Sequence, residues 1–383
     1  MRFRFLFFLI LFSSLNVFLG QALKIGLFPN QSFSKVKFAN ATGTYHLIAD
    51  TSYIGLIDHY SSCEIRKANS GKVELSFNGN RFSNLNKIKI LVTQNEKSIE
   101  FSGLAPVLKS RAFEGDFQIQ QSDGKLLILN LVDIETYLEG VVESEAGTGQ
   151  KFEYYKVQAI ISRTFACKAL SKHAKEGFNL CNQVHCQAYL HKRNGDSKLD
   201  SAVYSTKGMV LLKVDSTLAP TFFSANCGGQ TCKPEQVWNE SISGLDSFKD
   251  TFCIYTKQAK WSKQIPLSEW KQFLVEKYQF PVDDSLSYAM MLNWSTDFRP
   301  SFLFHPGYGI PMRDIREHFN LKSAFFNVSF SNNLIILNGK GYGHGVGLCQ
   351  EGAMKMARLN YTFDQILNFY YPSFSLGTIA PYL

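Results

Sequence analysis

The chain is 383 residues long, 45% hydrophobic and 19% charged, with a formal net charge of +8. These are globular proportions, and no low-complexity tract or fixed-period repeat is present, which excludes a disordered or solenoid chain. The length admits one large domain or two ordinary ones. The moderate positive charge suits an anionic surface or polymer without identifying one.

At the N-terminus Arg2 and Arg4 precede an apolar run, residues 5–12, which is followed by Val17-Phe-Leu-Gly20. A charged n-region, an apolar h-region and a small residue at a plausible cut read as an export signal spanning residues 1–20. Cleavage near Gly20 removes two arginines and lowers the formal charge from +8 to +6. The alternative is an uncleaved anchor, and only then is a membrane a partner; no other stretch approaches about 18 apolar residues. The expected location is the periplasm or cell envelope, with no nucleic-acid partner.

Residues 21–110 read as a β-rich region. Segments 23–28, 44–49, 52–57, 72–77 and 88–92 are short, apolar or alternating, and separated by Asn, Ser and Gly. Segment 117–120 and segment 126–132, with Ser122-Asp-Gly124 as the turn between them, continue the pattern. The aromatic content, 14% with 33 Phe, suits such a core and equally suits sugar-stacking surfaces. His46 and His59 are ordinary fold residues on this reading.

The chain is organised around residues 137–186. Asp133 can cap a helix whose apolar side is Tyr137, Leu138, Val141 and Val142. Gly147 and Gly149 break it, and a longer helix resumes near Glu153 with Val157, Ile160, Ile161, Thr164, Phe165 and Ala169 as its buried stripe. Gln158, Ser162 and Arg163 lie off that stripe. Glu145 is thereby expected on a loop between two helices, a common address for chemistry, with Arg163 available from the second helix. Glu135 and Glu139 read as a solvated edge of the first helix.

Further on, residues 209–214 and 219–223 look like strands joined by a turn at Asp215-Ser-Thr, leading into Ser224-Ala-Asn-Cys-Gly228-Gly229. The glycine pair permits close backbone approach or a tight turn. Residues 266–280 read as a surface amphipathic helix, and 325–330 with 334–337 as a hairpin about Asn332-Asn333. The next segment, Gly339-Lys-Gly-Tyr342-Gly343-His344-Gly-Val-Gly347, is expected to be an extended, side-chain-poor ribbon from which Tyr342 and His344 project. It lacks the Walker spacing and is no phosphate loop. A helix follows from Leu348.

Taken in order, GVVESEA, KVQAIISRTFA, CNQVHCQAY, ANCGGQT, VW and GKGYGHGVGLCQEGA resemble the SpoIID/LytB family, the stage II sporulation protein D and amidase-enhancer proteins that act on bacterial cell walls. The similarity runs from about Arg111 to Tyr371, with an echo at residues 24–28. It implies an α+β fold with a mixed SpoIID-like domain over 111–383. It also implies lytic transglycosylase activity on peptidoglycan glycan strands stripped of peptide. The family's GVVxxE glutamate falls on Glu145, and its helix arginine and glutamine fall on Arg163 and Gln158. Ser224, Gly228, Gly229, Tyr342, Gly343, His344 and Gln350 are the implied substrate contacts. The chain departs from the family pattern in Ala146-Gly147 for Met-Pro, and in Cys227 and Cys349 where serine is usual.

One carboxylate suffices for this chemistry because the muramic acid's own C6 hydroxyl can serve as nucleophile, whereas hydrolytic glycosidases use two. Arg163 beside Glu145 would oppose a raised pKa and is assigned to holding substrate. Cys181, Cys186, His185 and His173 offer two thiolates and two imidazoles, which suits tetrahedral zinc, and family members with this cluster bind zinc there. Cys167 or His191 can stand in for His173, and a Cys181–Cys186 disulfide is the alternative. Cys63, Cys167, Cys227, Cys232, Cys253 and Cys349 allow up to three disulfides. Two rivals remain open: a zinc amidase with the Cys/His cluster as its catalytic centre, and a non-catalytic wall-binding protein that stimulates a partner amidase.

Overall fold

Alternating burial through residues 23–132 builds two sheets. The computed structural model describes residues 22–94, 97–191 and 195–379; the export-signal segment lies outside them. The seven-stranded sheet runs in the order Leu180–Cys181, Leu23–Gly26, Lys125–Val132, Asp116–Ser122, Lys87–Val92, Tyr45–Ala49, Ser52–Ile57. The six-stranded sheet runs Val107–Glu114, Ser98–Ala105, Lys35–Ala39, Cys63–Lys67, Val73–Phe77, Asn80–Leu85. Between the sheets Phe28, Phe33, Phe38, Phe101, Phe113 and Phe117 pack ring against ring. Each buried ring contributes about 1.5–3 kcal/mol of transfer free energy, so these phenylalanines are core residues. The domain boundary expected at 110/111 falls inside the strand Val107–Glu114.

Nine helices are found among the described residues: α1 Ile134–Ala146, α2 Phe152–Lys168, α3 Ser197–Ser205, α4 Glu235–Trp238, α5 Leu267–Tyr278, α6 Ser285–Leu292, α7 Met312–His318, α8 Gln350–Arg358 and α9 Phe363–Tyr370. The fold is α+β. A main core extends from Leu23 to Tyr371 and includes both sheets, α1 and α2, so the β-rich region and the helices share one interior. A second core, from Trp261 to Leu337, belongs to a three-stranded sheet of Lys260–Pro266, Leu334–Lys340 and Phe326–Ser331 with α5, α6 and α7 packed on it. The helix expected at the surface, α5, is thus the anchor of this second core through fully buried Trp270. The hairpin turns at Asn332 and Asn333, both with positive φ (51° and 61°). Met209–Leu212 pairs along its length with Ser375–Thr378, whereas the expected hairpin about residues 215–217 is short, with the Leu212–Leu218 bridge and the Ala219 amide donating to the Leu211 carbonyl at 2.9 Å.

The glycine-rich segment is not an extended ribbon. Gly341, Gly343, Gly345 and Gly347 all have positive φ, so the backbone changes hand at every second residue. It lies along residues 222–232, exchanging hydrogen bonds between Tyr342 and Asn226 and donating from Gly345 to Ser224 Oγ at 3.1 Å. At Gly347 (φ 71°) a Cβ would stand 2.1 Å from the Phe222 carbonyl oxygen, too close for any side chain. Gly347→Ala is expected to cost at least about 1–3 kcal/mol in denaturant unfolding, the usual scale of local backbone strain, and more if the parallel pairing of Phe223–Ser224 with Leu348–Cys349 is lost.

Candidate active site and metal centre

Asp133 caps α1 by accepting from the amides of Glu135 and Thr136. The helix runs on through Ala146, where Gly147 (φ 68°) ends it. Glu145 therefore sits in the last helical turn and not on the loop expected from the glycines. It is half-buried, and its Oε1 accepts from the Ala188 amide at 2.7 Å. Burial raises its pKa above the ordinary carboxylate range, and the Ala188 hydrogen bond only partly offsets this. Its place at a helix C-terminus, where the dipole disfavours negative charge, acts in the same direction.

Two other expected residues meet it. The Gln350 amide donates to the Glu145 carbonyl oxygen and to Gln158 Oε1, both at 3.3 Å, and Tyr154 donates to the same Gln158 oxygen at 3.2 Å. Tyr154 went unsuspected, although its place one turn before Gln158 was visible. Ala188 carried no signal, because it acts through its backbone.

Arg163 does not join this group. It is fully buried, and its guanidinium forks onto Glu135 (3.0 and 2.5 Å) and donates to the carbonyls of Met209 (3.1 Å) and Val203 (3.4 Å). Glu135, read as solvated, is its ion-pair partner and also accepts from the Gly208 amide. Arg163 thus ties α2 to α1 and α3 and leaves the pKa of Glu145 free to rise. Gln158, Ser162 and Thr164 are likewise fully buried, because α2 has no solvent face at this level.

The glycine-rich segment reaches Glu145 through Gln350, beyond its C-terminal end. His344 faces another set of side chains. Its Nδ1 accepts from the Val346 amide (3.0 Å), its ring tilts over Trp238 (5.2 Å between centroids), and it shares a small cavity with Arg299 and Arg316. Burial, and then those two cations, push its pKa down to about 4, so it is neutral at physiological pH. Ser224 is engaged by the Gly345 amide. Tyr342 is exposed, while Gly343 packs against the Ser224 side chain. Gly228 and Gly229 line a cavity of about 270 Å³ with Lys249, Lys260, Lys340 and Phe325.

His173, Cys181, His185 and Cys186 converge, with all four donor atoms within 4.8 Å of one another. Cys186 Sγ is 3.4 Å from His173 Nε2, and Cys181 Sγ is 3.9 Å from His185 Nδ1. A tetrahedral zinc with bonds of about 2.0–2.3 Å has ligand edges of about 3.3–3.8 Å, so the set fits with little movement. His173 Nδ1 contacts the Glu176 carboxylate at 2.5 Å, the outer-shell bond that turns Nε2 inward. The Cys181 thiol is acidified, chiefly by the Cys186 thiol that donates to it. Four protein ligands close the site, which is the pattern of a structural metal and leaves no position for water. All eight cysteines are free thiols, so none of the allowed disulfides is formed. The loop that carries the cluster also carries Ala188, whose amide holds Glu145.

Residues 122–212 match the family model described as SpoIID, stage II sporulation protein, and this span contains Glu145, Arg163 and the whole Cys/His cluster. Residues 122–212 are a SpoIID-family region. The chain is 29% identical to stage II sporulation protein D of Bacillus subtilis, over 66% of this chain and 76% of the relative. It is 24% identical to the amidase enhancer of Bacillus subtilis, over 62% of this chain but only 40% of that protein. An uncharacterized protein of Brachyspira hyodysenteriae is 26% identical over 90% of this chain and 92% of its own length. The SpoIID/LytB resemblance read from the motifs is thus supported from two sides.

Two outcomes are expected of the SpoIID region. Arg163→Met should destabilise the protein by about 3–5 kcal/mol, the usual cost of breaking a buried pair. The Glu135→Gln/Arg163→Met double variant should lose less than the sum of the two single variants, as measured by denaturant unfolding. Cys186→Ser should lower metal content and melting temperature together; a fall in one without the other would contradict a structural metal.

Proposed function

We propose that the protein is an exported lytic transglycosylase that cuts the glycan strands of peptidoglycan, with Glu145 as its single acid/base. The observation that carries this reading is a half-buried carboxyl with a raised pKa, held at Oε1 by a backbone amide and away from Arg163, which is engaged by Glu135. Such a carboxyl keeps its proton to a higher pH than an ordinary one and can give it to a leaving oxygen. In the proposed reaction Glu145 protonates the glycosidic oxygen as the bond to the muramic acid C1 breaks. The resulting carboxylate then accepts the proton of the muramic acid C6 hydroxyl, whose oxygen attacks C1 and closes a 1,6-anhydro ring. Gln350 and Gln158 brace the helix end, and the exposed Tyr342 ring offers a stacking face for a sugar. Zinc in the Cys/His centre would fix the loop bearing Ala188 and supply no reacting group.

Similarity to an amidase enhancer supports a second reading, in which the same surface grips glycan and assists a partner amidase without cutting. Purified protein incubated with peptide-free glycan separates the two. Anhydro-muramyl ends support the transglycosylase; tight binding without products supports the enhancer; free stem peptides released from intact peptidoglycan in a parallel incubation would point to an amidase.

Glu145→Gln should preserve fold and glycan binding and reduce turnover by about 10²–10⁴-fold or more, with Glu143→Gln mild in comparison. The kcat/KM profile of the wild type should fall as pH rises through the elevated pKa of Glu145, since the reactive form is protonated. The sign for stability follows from the same shift. A carboxyl whose folded pKa lies above its unfolded value stabilises when protonated, and loses that contribution as pH rises through the two values. Glu145→Gln should therefore melt higher than wild type near neutral pH, with the gap closing in acid.

A further inference from the structure

Cys227, Asp250, Cys253 and Cys349 come from three separate segments and meet inside the main core. All four are fully buried. Cys227 Sγ lies 3.5 Å from Cys253 Sγ and 3.3 Å from Asp250 Oδ2, while Cys349 Sγ accepts the Cys227 amide at 3.3 Å. The four candidate donor atoms all lie within 4.8 Å of one another, a slightly loose version of the zinc edge length of about 3.3–3.8 Å. Two of the cysteines, 227 and 349, are the positions at which the chain departs from the serines of its family. The fold brings both departures, distant in sequence, to one point.

The carboxylate shows why this is more than packed thiols. Asp250 takes its hydrogen bonds from Tyr370 (2.8 Å to Oδ2), from the Phe252 amide (2.9 Å to Oδ1) and from the Cys227 thiol, none of them a cation. A buried carboxyl among thiols is costly in its charged form, and either a proton or a bound cation relieves that cost. Tyr370 and Phe252 orient it as outer-shell partners orient a metal-binding carboxylate. Room for it exists only because α8 presents Gly352, where a Cβ would lie 2.6 Å from Oδ2. On the outside of the cluster, the buried Arg299 donates to the Cys227 carbonyl at 2.7 Å.

We propose that Cys227, Cys253, Cys349 and Asp250 form a second metal site, distinct from the Cys/His centre, that takes one zinc ion in tetrahedral Cys3Asp coordination. Thiol protons leave as the ion binds. The ion joins the segment after Ser224, the turn at 246–256 and the end of the glycine-rich segment. It sits one residue before Gln350, whose amide reaches Glu145, and so locks the back of the glutamate's pocket.

The test is metal stoichiometry on the full chain purified under reductant, with Zn²⁺ measured by elemental analysis in wild type, Cys253→Ser, Cys349→Ser and Cys186→Ser. Wild type should carry one more equivalent than Cys253→Ser or Cys349→Ser, and each of these should keep the equivalent that Cys186→Ser loses. Equal zinc in wild type, Cys253→Ser and Cys349→Ser overturns the site, as does a Cys227–Cys253 disulfide in peptides from protein that carries its full metal complement. Should the variants not fold, Co²⁺ titration of metal-stripped wild type decides. Saturation of the sulfur-to-cobalt charge-transfer bands at two equivalents supports the proposal, and saturation at one overturns it. No arm depends on catalytic activity.

Discussion

Helix α2 is buried on nearly every side, yet it carries Gln158, Ser162, Arg163 and Thr164 in the middle of its length. Interior polar groups must find partners or forfeit about 1–3 kcal/mol each. The surrounding elements are placed to supply them. Arg163 draws in Glu135 of α1 and carbonyls near α3; Thr164 receives the Leu211 amide; Ser162 offers its carbonyl to Gln187; Gln158 receives Gln350. Thr221 closes the ring on the Ile161 carbonyl. An apolar helix here would leave its neighbours free to slide, whereas these bonds fix their register.

The glutamate benefits from that register without touching α2's arginine. Two separate clamps converge on it: the Cys/His loop delivers the Ala188 amide from one side, and α8 delivers Gln350 from the other. Both clamps act on backbone or through backbone, so the carboxyl is oriented without being offered a cation. A compensating charge would undo the elevated pKa that acid catalysis calls for. Precision and protonation are thereby reconciled by drawing rigidity from beyond the first circle of side chains.

Much of this was legible. The cap at Asp133, the strands of the seven-stranded sheet other than Leu180–Cys181, the Asn-Asn hairpin and the Cys/His quartet follow from local chemistry that tertiary context reinforces. Strands such as Asn80–Leu85, polar and exposed at a sheet edge, show no alternation to read. The burial of Arg163 escapes the sequence because a single helical stripe presumes one buried face, and α2 has none left for water. Gly147 and Gly149 signal a break after Glu145, but that signal cannot say whether the helix ends before or after the glutamate. Alternation of glycine suggests an extended strand in the glycine-rich segment; positive φ at alternate residues is invisible until Phe222 and Ser224 are known to crowd it. The convergence of Cys227, Cys253 and Cys349 depends on long-range topology alone.

The unit with its own core departs from the main body at Ala259 and returns at Gly341, and the two are joined by a hydrogen bond from the Gly341 amide to the Ala259 carbonyl at 2.9 Å. To the rest of the molecule the whole excursion is a single closed loop. Loop entropy grows only logarithmically, by about 0.6 kcal/mol for each doubling of length. The length of the excursion is therefore a minor cost, and what ties it to the main body is side-chain contact, above all the Arg299 guanidinium donating to the carbonyls of Cys227 and His344. Its strands also supply Lys260 and Lys340 to the cavity beside Gly228, so the excursion forms one wall of the space that the glycine pair opens.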